Sequence, residues 1–339
     1  MQQDQRPIME VQGLSKHFHM GGGGLFGLGG AARYVHAVDD VSFTLEKGHI
    51  LALVGESGSG KSTIARLLAK LYPATTGTVR LKGRDALTLK GRRAVLRYRG
   101  DVQMIFQDPF SSLNPVQTVG YQIGRPLTIH KGVRGAERER RIHELLRTVG
   151  LVPPDEMARK YPHQLSGGQR QRVAIACALA ADPEVILADE PTSMLDVSIR
   201  MGVLNLLKQL RDERDLAYLY ITHDLASARY IADETMVLYA GHLMEKAPSK
   251  ALMRDPQHPY TRLLLSAAPN PARAKTRVEA RGEIPTIINP KPGCRFAPRC
   301  PLVMPICRER TPDVTEARPG HLVRCYAAQP AHAATFARA

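Results

Sequence analysis

Long apolar runs are missing from this 339-residue chain. The longest, at residues 50–54 and 173–181, fall well short of the roughly 18–20 residues that cross a bilayer, so a transmembrane helix is excluded. Cysteine is scarce over most of the length. Of five, only Cys177 precedes residue 294, which excludes a disulfide-dense mini-protein. There is no tryptophan and aromatics make up 5% of the chain, yet 43% is apolar, enough for a sizeable core without cross-links. That excludes a disordered chain, and the composition excludes a collagen-like one. No internal repeat and no sustained heptad pattern is present. A Gly-rich tract at residues 20–32 sits too late for a signal peptide and lacks a basic stretch before it. The chain is therefore expected in the cytosol, with reduced thiols unless a metal holds them. Acidic residues are outnumbered 32 to 47, a net charge of +15, which leaves nucleic acid open as a partner at this point.

What is present over the first 265 or so residues is alternation. Short β-branched runs at residues 49–54, 102–106, 185–188, 216–222 and 235–239 read as buried strands. Helical patterns at residues 62–71, 168–180 and 198–211 lie between them. The pattern predicts an α/β architecture with a largely parallel sheet. Residues 122–151 are polar, basic and helical in pattern, which suggests an inserted helical subdomain. A basic run over residues 80–99 is assigned to a strand-rich part and to a solvated face. Beyond residue 266 proline becomes frequent, periodicity fades and the cysteines begin. A separate, loop-rich module is expected there.

Gly55, Glu56, Ser57, Gly58, Ser59, Gly60, Lys61 and Ser62 fit the pattern G-x-x-x-x-G-K-[ST], with Thr63 following. The segment follows an expected strand and opens an expected helix, the context the pattern requires. Successive backbone N–H groups form a nest for phosphates, and the helix N-terminus adds partial positive charge. Lys61 is placed to reach the β- and γ-phosphates and Ser62 to offer its hydroxyl to Mg²⁺. Residues 185–190 supply a strand ending in two carboxylates. Asp189 is assigned to orient Mg²⁺ and Glu190 to polarise the attacking water as general base.

Between these halves stands Leu165-Ser166-Gly167-Gly168-Gln169, and with it the sequence resembles the ATP-binding cassette (ABC) ATPases. Gln107 resembles their Q-loop glutamine, Asp196 lies in a segment similar to their D-loop, and His223 resembles their switch histidine. The six motifs span residues 50–225 in order. The resemblance implies an α/β P-loop NTPase cassette at residues 1–265, with a parallel-sheet core, an antiparallel β subdomain and a helical subdomain over about 108–180. It implies catalytic roles for Glu190, His223 and Gln107, with Gln107 coupling the Mg²⁺ site to the helical subdomain. Ser166–Gln169 also has capping-box spacing and so starts a helix. In the family this segment serves the nucleotide held by the opposite subunit, so one chain is incomplete alone. An aromatic stacks on adenine in such proteins. Phe18 is the first choice and Tyr34 the rival, each with packing as the alternative reading.

Residues 108–115 and 255–261, together with the cysteine-bearing tail, resemble the ATPases of oligopeptide/dipeptide importers. This implies a second ATPase subunit, identical or paralogous, two membrane permease subunits and an extracytoplasmic binding protein, with the chain on the cytoplasmic face of the inner membrane and no nucleic acid partner. The rival is a soluble ABC protein acting on ribosomes or DNA. Cys294, Cys300, Cys307 and Cys325 lie in the module at residues 266–339 at intervals of five, six and seventeen residues. Similar importer subunits carry a [4Fe–4S] cluster on such a tail; zinc or unligated thiols are the alternatives. Residues 270–339 hold 12 basic and 5 acidic residues. Arg295, Arg299, Arg308 and Arg324 are expected to compensate an anionic cluster. Cys177 is read as a small hydrophobe.

Overall fold

The computed structural model describes residues 6–20, 32–267 and 287–329. The chain begins with β1 (Met9–Met20), β2 (Arg33–Leu45), β3 (Ile50–Val54), α1 (Lys61–Leu68), β4 (Thr76–Leu81), β5 (Arg84–Asp85), α2 (Arg92–Asp101) and β6 (Val102–Ile105). A helical stretch follows: α3 (Pro109–Ser112), α4 (Val119–Lys131), α5 (Gly135–Thr148), α6 (Pro154–Arg159) and α7 (Gly167–Leu179). Next come β7 (Val185–Asp189), α8 (Val197–Arg214), β8 (Ala217–Thr222), α9 (Leu225–Ile231), β9 (Glu234–Tyr239), β10 (His242–Pro248), α10 (Ser249–Arg254) and α11 (Pro259–Ala267). The C-terminal segment adds a 3₁₀ turn at Ala297–Arg299, α12 (Ile306–Glu309), β11 (Thr315–Arg318) and β12 (His321–Val323).

Eight strands form one sheet in the order β11-β12-β10-β9-β3-β8-β7-β6. The pairs β9–β3, β3–β8, β8–β7 and β7–β6 are parallel. Their continuous apolar runs follow from burial on both faces. Ile50, Ala52 and Val54 of β3 face one core, with Tyr218 and Tyr220 of β8 and the buried side chains of α4, α5 and α7. Leu51 and Leu53 face the other, with α1, β1 and β2. The period-2 alternation of β structure thus divides one apolar strand between two cores.

A second, antiparallel sheet has the order β2-β1-β4-β5. The basic run expected in a strand-rich part is divided: β4 and β5 take its start, and α2 its end. Arg80, Arg84, Arg92, Arg93, Arg97 and Arg99 are nevertheless exposed, a solvated face. The C-terminal segment expected as a separate module extends the main sheet. β12 pairs with β10 through Glu245↔Val323 and Lys246↔Leu322, and β11 pairs with β12. Among the described residues, no helix is long and apolar enough to cross a membrane.

Candidate nucleotide and thiol sites

Four functional segments follow the C-terminal ends of adjacent parallel strands: the phosphate loop after β3, Gln107 after β6, Glu190 after β7 and His223 after β8. The carboxyl end of a parallel sheet is where α/β proteins bind ligands, because loops converge there and the following helices present their N-termini. The loop packs closely on the antiparallel sheet. Gly60 has φ 105°, and a Cβ there would stand 2.2 Å from the Ala37 carbonyl oxygen. Only glycine fits that approach.

Lys61 is buried, and its Nζ donates to the carbonyls of Gly55 (2.7 Å) and Glu56 (2.8 Å). Burial lowers the Lys61 pKa, while the charges of Glu190, Asp189 and Glu56 oppose that shift. Ser62 Oγ donates to Asp189 Oδ1 at 2.9 Å, which joins the first turn of α1 to the end of β7. Burial raises the Asp189 pKa, and the Ser62 hydrogen bond opposes it. Glu190 takes φ 45°, a left-handed conformation rare for a side-chain-bearing residue, which costs energy and gathers at functional sites. Its Oε2 accepts from Gln107 Nε2 at 3.1 Å and lies 3.2 Å from His223 Nδ1. The three residues assigned to catalysis therefore meet at one carboxylate oxygen.

Ser166 caps α7. Its Oγ accepts from the Gln169 amide at 3.2 Å, and the Gln169 side chain accepts from the Ser166 amide at 3.0 Å. Ser166 is exposed and Gly167 half-buried, so this helix start faces outward. Asp196 precedes α8 and is exposed, beside exposed Met194, Val197, Ile199 and Met201.

Phe18 pairs with Val35 and His19 with Tyr34 across β1 and β2, so Phe18 and Tyr34 face opposite sides of the ribbon. Phe18 is half-buried, edge-on to Tyr72 at 5.5 Å. Tyr34 is exposed, edge-on to His19. The glycine-rich residues 21–30 between them lie outside the described residues.

Cys294, Cys300, Cys307 and Cys325 are neighbours in space. Burial pushes the Cys294 thiol up to about 11 and Cys300 up to about 12, with further upward contributions from the facing cysteines. Cys294 and Cys307 line a cavity of about 250 Å³ with Arg308, and the Cys294 amide donates to the Cys307 carbonyl at 2.7 Å. A facing set of thiols, two buried and two half-buried, ionises readily only with added positive charge nearby, which suits a metal centre. Among the described residues, no three of these sulfurs lie within 4.8 Å of one another. Cys177 packs against the core, and burial pushes its thiol up to about 12, as a small hydrophobe requires.

The arginines near these cysteines depart from expectation. Arg295 binds Asp39 and the Ala240 carbonyl, Arg299 binds Glu56, and Arg324 binds Asp40 at 3.2 Å. Three of the four expected to compensate a cluster are thus bound to cassette carboxylates; Arg295 and Arg308 line the thiol cavity, and of these two Arg295 is already paired with Asp39. A buried guanidinium takes the nearest carboxylate that can desolvate with it, whatever its place in the sequence. Sequence reasoning also missed Tyr260, whose hydroxyl accepts the Glu56 amide at 2.9 Å, and a polar cluster around Asp39. Asp39 lies 3.3 Å from His17 Nε2 and 3.1 Å from His36 Nδ1. Although burial acts in the opposite direction, His242, His36 and Arg295 hold the Asp39 carboxyl well below its usual range.

Comparison with known proteins agrees with this geometry. The family model described as "ABC transporter" matches residues 38–193, and that described as "Oligopeptide/dipeptide transporter, C-terminal region" matches residues 244–307. The chain is 44% identical to the oligopeptide transport ATP-binding protein AppF of Bacillus subtilis (strain 168), over 95% of this chain and 98% of that protein. It is 42% identical to the dipeptide transport ATP-binding protein DppF of Haemophilus influenzae, over 94% and 96% of the two chains. Among solved structures, the dimeric ATP-binding cassette MJ0796 bound to ADP and Pi superimposes with TM-score 0.62 at 30% identity, covering 71% of this chain and 99% of that one. The structure of cbiO1 from Clostridium perfringens shares the fold, with TM-score 0.62 and 23% identity, over 74% and 91% of the two chains.

Proposed function

The chain belongs to the ABC transporter ATP-binding proteins, and on that premise we propose that it hydrolyses ATP to power peptide import through separate membrane subunits. The observation that carries the reading is the convergence of Gln107 and His223 on Glu190, beside the Ser62–Asp189 pair at the phosphate loop. Lys61 and the loop amides hold the phosphates. Glu190 takes a proton from water as its oxygen bonds to the γ-phosphorus and the bond to ADP breaks. Gln107 and His223 hold the carboxylate in place. Mg²⁺, bound near Ser62, Asp189 and Gln107, would neutralise charge developing on the phosphate oxygens.

The exposed capping box at Ser166 and the exposed apolar residues Met194, Val197, Ile199 and Met201 support a second ATPase chain docked on this face. Peptide cargo is supported by the names of the full-length relatives, which speak against a ribosome- or DNA-directed role. A cytoplasmic position at the inner membrane follows from the same reading. The test is coexpression with membrane subunits encoded alongside. Mg²⁺-dependent ATPase activity in the purified complex is expected, and failure to associate with any membrane protein sinks the importer reading.

We read the four thiols as ligands of a [4Fe–4S] cluster in preference to zinc. A tetrahedral zinc site needs four sulfurs roughly 3.8 Å apart given Zn–S bonds of about 2.3 Å, whereas among the described residues no three of these sulfurs lie within 4.8 Å of one another. Anaerobic purification followed by iron, sulfide and zinc analysis decides the matter, and one zinc per chain without iron overturns the cluster.

A further inference from the structure

We propose that Arg299 is a positioning residue for the phosphate loop, through which the C-terminal cysteine module sets nucleotide affinity. The proposal rests on the nucleotide reading above. Glu56, the second residue of the loop, is held at three points. Its carbonyl accepts from Lys61, its amide donates to Tyr260 Oη, and its carboxylate takes both terminal nitrogens of Arg299 at 2.7 and 3.0 Å. The Arg299 side chain is 5% exposed and the Glu56 side chain 28%. Arg299 Nη1 also donates to Tyr239 Oη at 3.3 Å. Tyr239, Tyr260 and Phe296 pack as a ring cluster with centroids 4.6–5.4 Å apart. Phe296 and Arg299 belong to the module, and Arg299 directly precedes Cys300 in the sequence.

Two physical effects follow. A nest of amides binds phosphate well only when its backbone is ordered beforehand, and fixing one end of the loop reduces the entropy lost on binding. A carboxylate beside a triphosphate site also repels the ligand unless a cation stays paired with it, and a bidentate guanidinium does so with fixed geometry.

The test is equilibrium binding of MgATP, read with a fluorescent ATP analogue, on the full-length chain. Arg299→Ala is expected to raise Kd about tenfold, since it leaves the Glu56 charge unpaired. Adding Glu56→Gln to that variant is expected to recover affinity to within about threefold of the native chain, because the repelling charge is gone. Tyr260→Phe keeps the ring cluster and is expected to weaken binding about threefold by removing the acceptor for the Glu56 amide. It reports on the loop even where Arg299→Ala misfolds. Arg318→Ala breaks a more exposed bridge to Asp255 and is expected to leave Kd unchanged. A Kd within twofold of native for Arg299→Ala, or for Tyr260→Phe where Arg299→Ala misfolds, overturns the proposal, as does a double variant no better than Arg299→Ala alone. Lys61→Ala separates the two levels. Retained binding there overturns the nucleotide reading itself, whereas its loss with an unaffected Arg299→Ala overturns only the positioning role.

Discussion

Glu190 stands in a left-handed backbone conformation with two partners on one carboxylate oxygen. Removing its charge while keeping its shape separates binding from chemistry. Glu190→Gln is expected to lower hydrolysis roughly 100- to 10,000-fold while MgATP still binds, checked by steady-state ATPase and nucleotide binding on one preparation. Unchanged turnover would falsify the assignment of the base. His258 gives a second prediction at this scale. It is fully buried, its Nδ1 accepts the Tyr260 amide at 3.0 Å, and burial pushes its pKa down to about 4 from 6.5. Between those values the unfolded chain binds a proton that the folded chain refuses, so stability rises with pH across that window and is lost as pH falls from 6.5 toward 4. One such group contributes at most about 1.4 kcal/mol per pH unit. Buried His242, also lowered to about 4, adds a slope of the same sign. His258→Asn retains an acceptor for the amide and is expected to flatten the slope of unfolding midpoint against pH. An unaltered slope in that variant removes His258 from the account. The residues that converge at the strand ends were legible in sequence because each motif is local and its spacing carries the chemistry. Arg299 was not, because its carboxylate partner lies 243 residues away.

At the level of elements, the start of α7 tests whether its glycines serve packing or function. A Cβ on Gly168 would lie 2.5 Å from Ile199 Cγ2, whereas one on Gly167 would meet Leu195 Cδ2 at an ordinary 3.6 Å. Gly168→Ala is expected to cost about 1–3 kcal/mol through overpacking. Gly167→Ala is expected to stay within about 0.5 kcal/mol of native. The exposed amides of that helix start would still carry a methyl group where an anion approaches, so the Gly167→Ala complex should lose ATPase activity without losing its melting temperature. Thermal unfolding and ATPase assays on both variants check this pair of outcomes. The parallel strands were readable as apolar runs because both faces are buried. The long strands β1 and β2 were not, because register shifts near Val11, Leu14 and Lys16 interrupt the two-residue alternation that marks a half-buried strand. The helix α2 was hidden in a basic run whose residues mostly face solvent.

For the molecule as a whole, the cysteine-bearing segment is bound to the cassette by strand pairing and by buried charge. Glu245, fully buried on β10, accepts the amides of Gln257 and His258 and lies 2.6 Å from His321 Nε2 on β12. Loss of periodicity after residue 266 was readable as an end of regular α/β alternation. The return of the chain to the main sheet was not, because β11 and β12 are only four and three residues long, too short to leave a pattern. Their pairing makes β10 an interior strand. A chain ending after α11 would turn β10 into a sheet margin with unpaired amides and carbonyls and would take His321 from Glu245. Such a margin invites strands from other molecules. The shortened chain is expected to self-associate at concentrations where the full chain keeps its native assembly size, as read by size-exclusion chromatography with light scattering. The two short strands of the C-terminal segment therefore act as a cover that protects the cassette from its own copies.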